Sequence, residues 1–411
     1  MARTNKKKTK SKRKQRLHTR VVNRTKATAK IGVKHLKPHA VRTKHWYQRR
    51  GFWQKVGIWI SILAITLLST MYGIARWYIQ KHKNEPLTIG ATFIPNYARY
   101  YNLSPENTMD AMINDLGIRR FRLVSYWSDI EKKPGKYDFK ELDWQFDKIE
   151  KAGGTISLAI GLRQPRWPEC HWPEWAQKMP KAQWQGKLKD VMGKVIDRYK
   201  DRGVLQDYQL ENEYFLEVFG DCPDHTRERL VDEFNFVKIK DPSRPVIVTR
   251  SNNAVPSWPV GEPRADINGA SIYKRVWDRT VTKRYFEYPL PPWFYAFLAG
   301  GAELTTGTNT FIHEMQTEAW PPVAMKDTSI EEQDKSMPPE KLRDRIKYGI
   351  DTGMRTIDLW GVEWWYWRKV ELNDPRLWDE GKKAIEEFTT SDKQCPEYYR
   401  NVPNGRSKSP C

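Results

Sequence analysis

Twenty consecutive residues without a charge, Val56-Gly-Ile-Trp-Ile-Ser-Ile-Leu-Ala-Ile-Thr-Leu-Leu-Ser-Thr-Met-Tyr-Gly-Ile-Ala75, stand between Lys55 and Arg76 and constrain this chain more than any other feature. A helix rises about 1.5 Å per residue, so this stretch matches a hydrocarbon core of about 30 Å. A helix buried in a soluble core is amphipathic and rarely this long without a charge. The run therefore predicts one transmembrane helix over 56–75. A long basic segment precedes it and no small-x-small cleavage site follows, which favours a retained signal anchor over a cleaved signal peptide.

The charge distribution splits the chain at the same place. Residues 1–55 hold 20 of the 71 Lys and Arg and no Asp or Glu, and the rest balances 51 bases against 50 acids. The net charge of +21 thus belongs to the tail. Runs such as Lys6-Lys-Lys-Thr-Lys10 have almost nothing apolar to bury and predict a disordered basic tail. The 20 residues before the span carry six Lys or Arg, the comparable stretch after it only Arg76, Lys81 and Lys83. The positive-inside rule then keeps the tail cytoplasmic and puts everything after 76 outside. A topology signal that also touches anionic lipid accounts for the tail more simply than nucleic-acid binding.

Beyond a juxtamembrane linker at 76–86, residues 87–392 are long enough for one large domain, with 393–411 as a C-terminal tail. Short apolar runs alternate with helical patterns. Strands are predicted at 87–94, 119–125, 155–160, 208–213, 245–249, 267–273, 310–318 and 356–360. Helices are predicted at 104–117, 139–152, 174–198, 226–240, 339–352 and 376–389. Ser104 supplies an N-cap for the first helix. Eight strands, each followed by a crossover, are the order of an α/β fold of the (β/α)₈ barrel type. The sixth crossover, 288–301, is the least regular, being rich in Pro and aromatics.

In such a barrel the functional mouth lies at the C-terminal strand ends. Two glutamates close strand-like runs there: Glu213, in Asp207-Tyr-Gln-Leu-Glu-Asn-Glu213, and Glu318, in Thr310-Phe-Ile-His-Glu-Met-Gln-Thr-Glu318. Paired carboxyl groups on separate strands suit glycosidic bond cleavage, one protonating the leaving oxygen and the other meeting the anomeric carbon. Glu211 and Glu314 share strand parity with them and are the competing assignments. Asn212 before Glu213, and Trp320-Pro-Pro322 after Glu318, favour the outer member of each pair. Arg166-Trp-Pro-Glu-Cys-His-Trp-Pro-Glu-Trp175 predicts a loop lining a cleft, and His313 a packed strand histidine.

All four cysteines follow the span, where disulfides persist. Cys170 and Cys222 fall in neighbouring loops at the mouth, which predicts a bridge between them and leaves Cys395 with Cys411. A zinc site using His171 and His225 is the competing reading of the first pair, disfavoured because adjacent ligands fit a tetrahedral metal poorly.

With the residues in this order, the domain resembles the large clan of retaining glycoside hydrolases built on (β/α)₈ barrels. Phe121-Arg-Leu-Val-Ser-Tyr-Trp127, Pro134-Gly-Lys-Tyr-Asp-Phe139 and Gln209-Leu-Glu-Asn-Glu-Tyr214 are similar to segments of its β-galactosidase-like and cellulase-like members. The resemblance covers the outer domain and none of the first 86 residues. It implies Glu213 as general acid/base, Glu318 as nucleophile and Asn212 as partner of the sugar 2-hydroxyl. It further implies that Arg122 orients the nucleophile, that Tyr273 sits against it, and that Trp364 or Trp365 forms a sugar platform, with Trp167 on the cleft loop. Ser271 stands where the cellulase-like branch has His. The implied ligand is an oligo- or polysaccharide, with no metal or organic cofactor. A barrel that binds cell-surface glycans without turning them over is the alternative.

Overall fold

The computed structural model describes residues 46–251 and 261–390, which fall into two compact units divided between Thr70 and Met71. One helix, Phe52–His82, contributes residues to both. In the first unit most of its apolar side chains are exposed, Trp53, Trp59, Leu63 and Leu68 among them, with Val56 and Ile58 half-buried. This helix is long and apolar enough to cross a membrane, and only 6% of its most apolar window is buried. Residues 1–45 of the tail and Cys395 and Cys411 lie outside the described residues, and the tail's last four residues, 52–55, already belong to the helix.

The second unit is a closed barrel of eight parallel strands: β1 Thr88–Phe93, β2 Arg120–Val124, β3 Thr155–Ile160, β4 Leu205–Leu210, β5 Val246–Ser251, β6 Ile267–Ile272, β7 Asn309–Gln316 and β8 Thr356–Trp360. Strand β8 pairs with β1 to close it. The hydrophobic core lies between strands and helices, where Phe121, Leu158, Ile196, Met315 and Ile346 are fully buried. Ser104 caps the helix Pro105–Asn114 through its hydroxyl, as the sequence predicts. The irregular sixth crossover holds a hairpin of Arg275–Trp277 and Tyr285–Glu287, then a helix, Pro292–Thr306.

Two strand ends differ from the sequence pattern, and both bear on function. Strand β4 stops at Leu210, so Glu211, Asn212 and Glu213 form a turn beyond it, with Glu211 and Glu213 at positive φ (55° and 42°). Strand β7 contains an extra residue. Ala270 and Ser271 of β6 pair with Ile312 and Glu314, skipping His313, and the pairing with β8 shifts between the same positions. Such a bulge re-aims the side chains after it. Here both His313 and Glu314 face the interior, and Met315 faces out against Gly349.

The barrel interior is polar. Arg120 and Arg122 of β2 both point inward, one layer apart. Arg120 is held by Asp358 of β8 and Asp207 of β4. Gly90 of β1 makes that pairing possible, since a Cβ there would stand 2.3 Å from Asp358 Oδ1.

Candidate active site

The site is built outward from Arg122, fully buried one layer above Arg120. Its guanidinium donates to Gln209 Oε1 at 2.5 Å, to Glu314 Oε1 at 2.9 Å and to Asn212 Oδ1 at 2.8 Å. The Tyr273 hydroxyl donates to the other Glu314 oxygen at 2.7 Å. The carboxylate of Glu314 is therefore gripped at both oxygens by groups from β2 and from the residue after β6. These are the contacts expected around Glu318; Arg122 and Tyr273 meet Glu314 instead. The bulge explains the difference, because it turns Glu314 inward inside β7 and leaves Glu318 two residues past the strand end.

Glu213 faces this arrangement from the turn after β4. Its backbone N–H donates to Thr249 Oγ1 at 2.7 Å, which helps hold the turn at positive φ. Strain of that kind persists where surrounding contacts over-determine it. Its Oε1 is buried without a hydrogen-bond partner. Burial, then the charge of Glu314, then that of Glu169, push its carboxyl up to about 8; the Ser271 hydroxyl beside it opposes the rise without making a hydrogen bond of ordinary geometry.

Glu211, the competitor of Glu213, is committed to structure. Its oxygens accept from the backbone N–H groups of Leu162 and Arg163, at 2.7 and 2.8 Å, and from Arg229. Asn212 bridges Arg122 to Glu169, donating to Glu169 Oε2 at 3.0 Å. Burial raises Glu169 to about 7, against the pull of Arg163.

A second group lies at the same mouth. Glu318 accepts from Arg166 at 2.7 Å and from the Tyr97 hydroxyl. The Arg166 guanidinium stacks 3.4 Å from the Tyr97 ring centre and 4.2 Å from that of Trp360, the last residue of β8. Arg166 has positive φ (83°) in the loop after β3, tied to the loop after β4 by the Cys170–Cys222 disulfide, the bridge expected from sequence. His171 stacks on Tyr126 and hydrogen-bonds the Arg166 carbonyl, and no cluster of metal-ligating residues occurs among the described residues.

Trp364 and Trp365 form no sugar platform. Both are fully buried in the helix Val362–Val370, their indole N–H groups donating to Gln333 and to the Thr317 carbonyl. Trp167 is 66% exposed and opens an aromatic row toward the carboxyls. It touches Phe219 at 5.9 Å, Phe219 touches Trp320 at 6.1 Å, and Trp320 meets Tyr273 at 5.3 Å between ring centres. Tyr97, Arg166, Glu169 and Trp360 were not singled out individually by the sequence. The Trp/Pro-rich loop 166–175 carried the only signal for two of them.

No protein-family model matches the chain. Its fold is shared with solved glycoside hydrolases. A β-galactosidase from the Antarctic haloarchaeon Halorubrum lacusprofundi superposes at TM-score 0.50 with 13% identity, over 75% of this chain and 59% of that one. An exo-β-1,4-mannosidase from an Opitutaceae bacterium gives 0.51 with 14% identity, over 74% and 60%. A GH5_18 protein from Bifidobacterium longum, solved with Manβ1-4GlcNAc, gives 0.51 with 8% identity, over 75% and 79%. The chain spans about three fifths of the length of the first two. At these identities the likeness establishes the (β/α)₈ fold alone.

Proposed function

We propose that the barrel is a retaining glycoside hydrolase acting on β-linked sugars, anchored in the membrane by the apolar helix with its catalytic domain outside the cytoplasm. Glu213 is the general acid/base and Glu314, rather than Glu318, the nucleophile. The observation that carries this reading is the opposed state of the two facing carboxyls. Burial, and then the neighbouring carboxyls of Glu314 and Glu169, push Glu213 up to about 8 and keep it protonated at neutral pH, while Glu314 receives donors at both oxygens from Arg122 and Tyr273.

In the first step the Glu314 carboxylate attacks the anomeric carbon as the bond to the leaving oxygen breaks and that oxygen takes the Glu213 proton. A glycosyl ester on Glu314 results. In the second step the ionised Glu213 removes a proton from water, whose oxygen attacks the anomeric carbon and releases Glu314. Arg122 and Tyr273 position Glu314 throughout, and Asn212, oriented by Arg122 and Glu169, offers a polar edge to the sugar.

The test is hydrolysis of a panel of aryl β-glycosides by the full chain and by Glu213→Gln, Glu314→Gln and Glu318→Gln. Release of the aryl alcohol that is lost with the first two variants and kept by the third supports the assignment. Loss with Glu318→Gln, but not with Glu314→Gln, returns the nucleophile to Glu318. Undiminished release by both Glu213→Gln and Glu314→Gln removes the mechanism. Saturable glycan binding without turnover indicates the binding barrel.

A further inference from the structure

The way the chain enters the domain and the chemistry of its rim bear on where the mouth faces. Residues 71–82 lie alongside the helix Pro292–Thr306 and run parallel to it. Tyr72 meets Trp293 at 5.9 Å between ring centres, Ile74 and Tyr78 press on Gly300, and Lys81 and His82 both pair with Glu303. A Cβ on Gly300 would stand 2.9 Å from Tyr78 Cβ, so the two helices are in close contact. The Tyr78 hydroxyl reaches Asn309, the first residue of β7, and Ile79 abuts Gly353 just before β8. The helix Pro292–Thr306 descends from the mouth, after β6, to the floor, before β7. Tyr72 therefore lies toward the mouth and His82 at the floor, and the chain enters the domain from its mouth end.

The exposed apolar side chains of the domain are concentrated at the same end. Tyr100, Trp167, Val218, Val281, Phe286 and Val323 stand on the connections after β1, β3, β4, β6 and β7, with Val218 and Val281 90% and 83% exposed. Away from the mouth and from residues 71–82, only Ile239, Leu304 and Val370 match them among the described residues. Val281 sits at the tip of the hairpin after β6, between Arg279 and Lys283-Arg284. Asp278 holds that tip by accepting from the backbone N–H groups of Thr280, Val281 and Thr282. An apolar tip flanked by cations suits the boundary of an anionic bilayer, with the side chain among the acyl chains and the charges at the phosphates.

We propose that the barrel mouth rests on the membrane surface and that the substrate is the sugar headgroup of a membrane-embedded glycolipid. The second clause rests on the glycosidase reading; the first stands without it. The row from exposed Trp167 through Phe219 and Trp320 to Tyr273 then leads from the headgroup layer to the paired carboxyls.

The experiment uses the full chain in nanodiscs of phosphatidylcholine and phosphatidylglycerol, with Cys395→Ser and Cys411→Ser. An environment-sensitive fluorophore is attached at Val281→Cys or, at the floor end, at Ile239→Cys, both exposed sites. Headgroup spin-labelled lipid is expected to quench the first label several-fold more than the second, and Lys283→Glu with Arg284→Glu to weaken that difference. Equal quenching, or stronger quenching at residue 239, overturns the docking. In parallel, one sugar is presented on a lipid in the nanodisc and as a soluble aryl glycoside. Faster cleavage of the lipid form supports the glycolipid assignment, and equal or slower cleavage overturns it. Preferential quenching with no cleavage of either substrate upholds the docking while removing the hydrolase reading.

Discussion

Two arginines on one strand, Arg120 and Arg122, sit one layer apart in the barrel and have opposite surroundings. Arg120 is enclosed by two aspartates, Asp207 and Asp358, on opposite walls, and its layer is closed. Arg122 has one carboxylate, Glu314, beside amide oxygens from Gln209 and Asn212, and above it two further glutamates, Glu213 and Glu169, are pushed toward the neutral form. The lower layer matches its cation with two carboxylates, although Asp207 Oδ1 has no partner among the described residues and burial raises Asp358 as well; the upper leaves acid groups whose protonation is poised near neutrality. That imbalance marks function better than the presence of buried charge does, because buried ion pairs alone are common structural features.

The sharpest way to break this contrast is to remove the carboxyls of the upper layer. Glu213→Gln and Glu314→Gln should each lower turnover by about 10²–10⁴-fold while the protein stays folded, measured as aryl alcohol release beside circular dichroism. Arg120→Met should do the reverse, leaving two buried aspartates without their cation and costing about 3–5 kcal/mol in urea unfolding. Arg122→Met, by contrast, should lower turnover by about 10²–10³-fold, out of proportion to its effect on the unfolding midpoint, because it releases Glu314 and Asn212 from their positions. If Arg120→Met affects activity at unchanged stability, the division between the layers fails.

Two pH measurements sharpen it further. With protonated Glu213 as the acid, kcat/KM should fall as pH rises through about 8. The folded state also favours the protonated form, so this group's contribution to stability is complete below its unfolded value of about 4.3 and is lost as pH rises toward about 8. Glu213→Gln should therefore raise Tm relative to the parent more near pH 9 than near pH 5. An equal shift at both would mean that Glu213 is not held in a costly environment.

Much of this was legible in the sequence. The strand pattern located all eight strands, because each carries a short apolar run bounded by turn residues, and Asn212-Glu213 stood out where β4 had to end. The aromatic content of residues 288–301 obscured the helix Pro292–Thr306, whose apolar side chains pack against residues 71–82 as well as the barrel. Trp364 and Trp365 looked like a platform because their segment follows β8, but a helix begins at Val362 and turns both rings into the core. The choice between Glu314 and Glu318 was not legible at all. It depends on strand register, and alternation of residue types does not report an inserted residue. Arg166 escaped for a related reason: its place between Tyr97 and Trp360 is fixed by a loop conformation and by strands distant in sequence.

The bulge at His313 has a consequence for how this barrel tolerates change. Before it, odd-numbered residues of β7 line the interior, with Phe311 beside Arg120; after it, the even-numbered Glu314 does. The identity of the carboxylate that meets Arg122 and Tyr273 is thus encoded in a residue count as much as in a side chain. Plain alternation with the full residue count would turn Glu314 to the outer layer, whereas loss of a single residue between Phe311 and Glu314 would remove the bulge and leave the carboxylate inward, two positions from Phe311. Strand β7 is in this sense read in frame, and the bulge is the inserted count that keeps Glu314 in phase with Phe311.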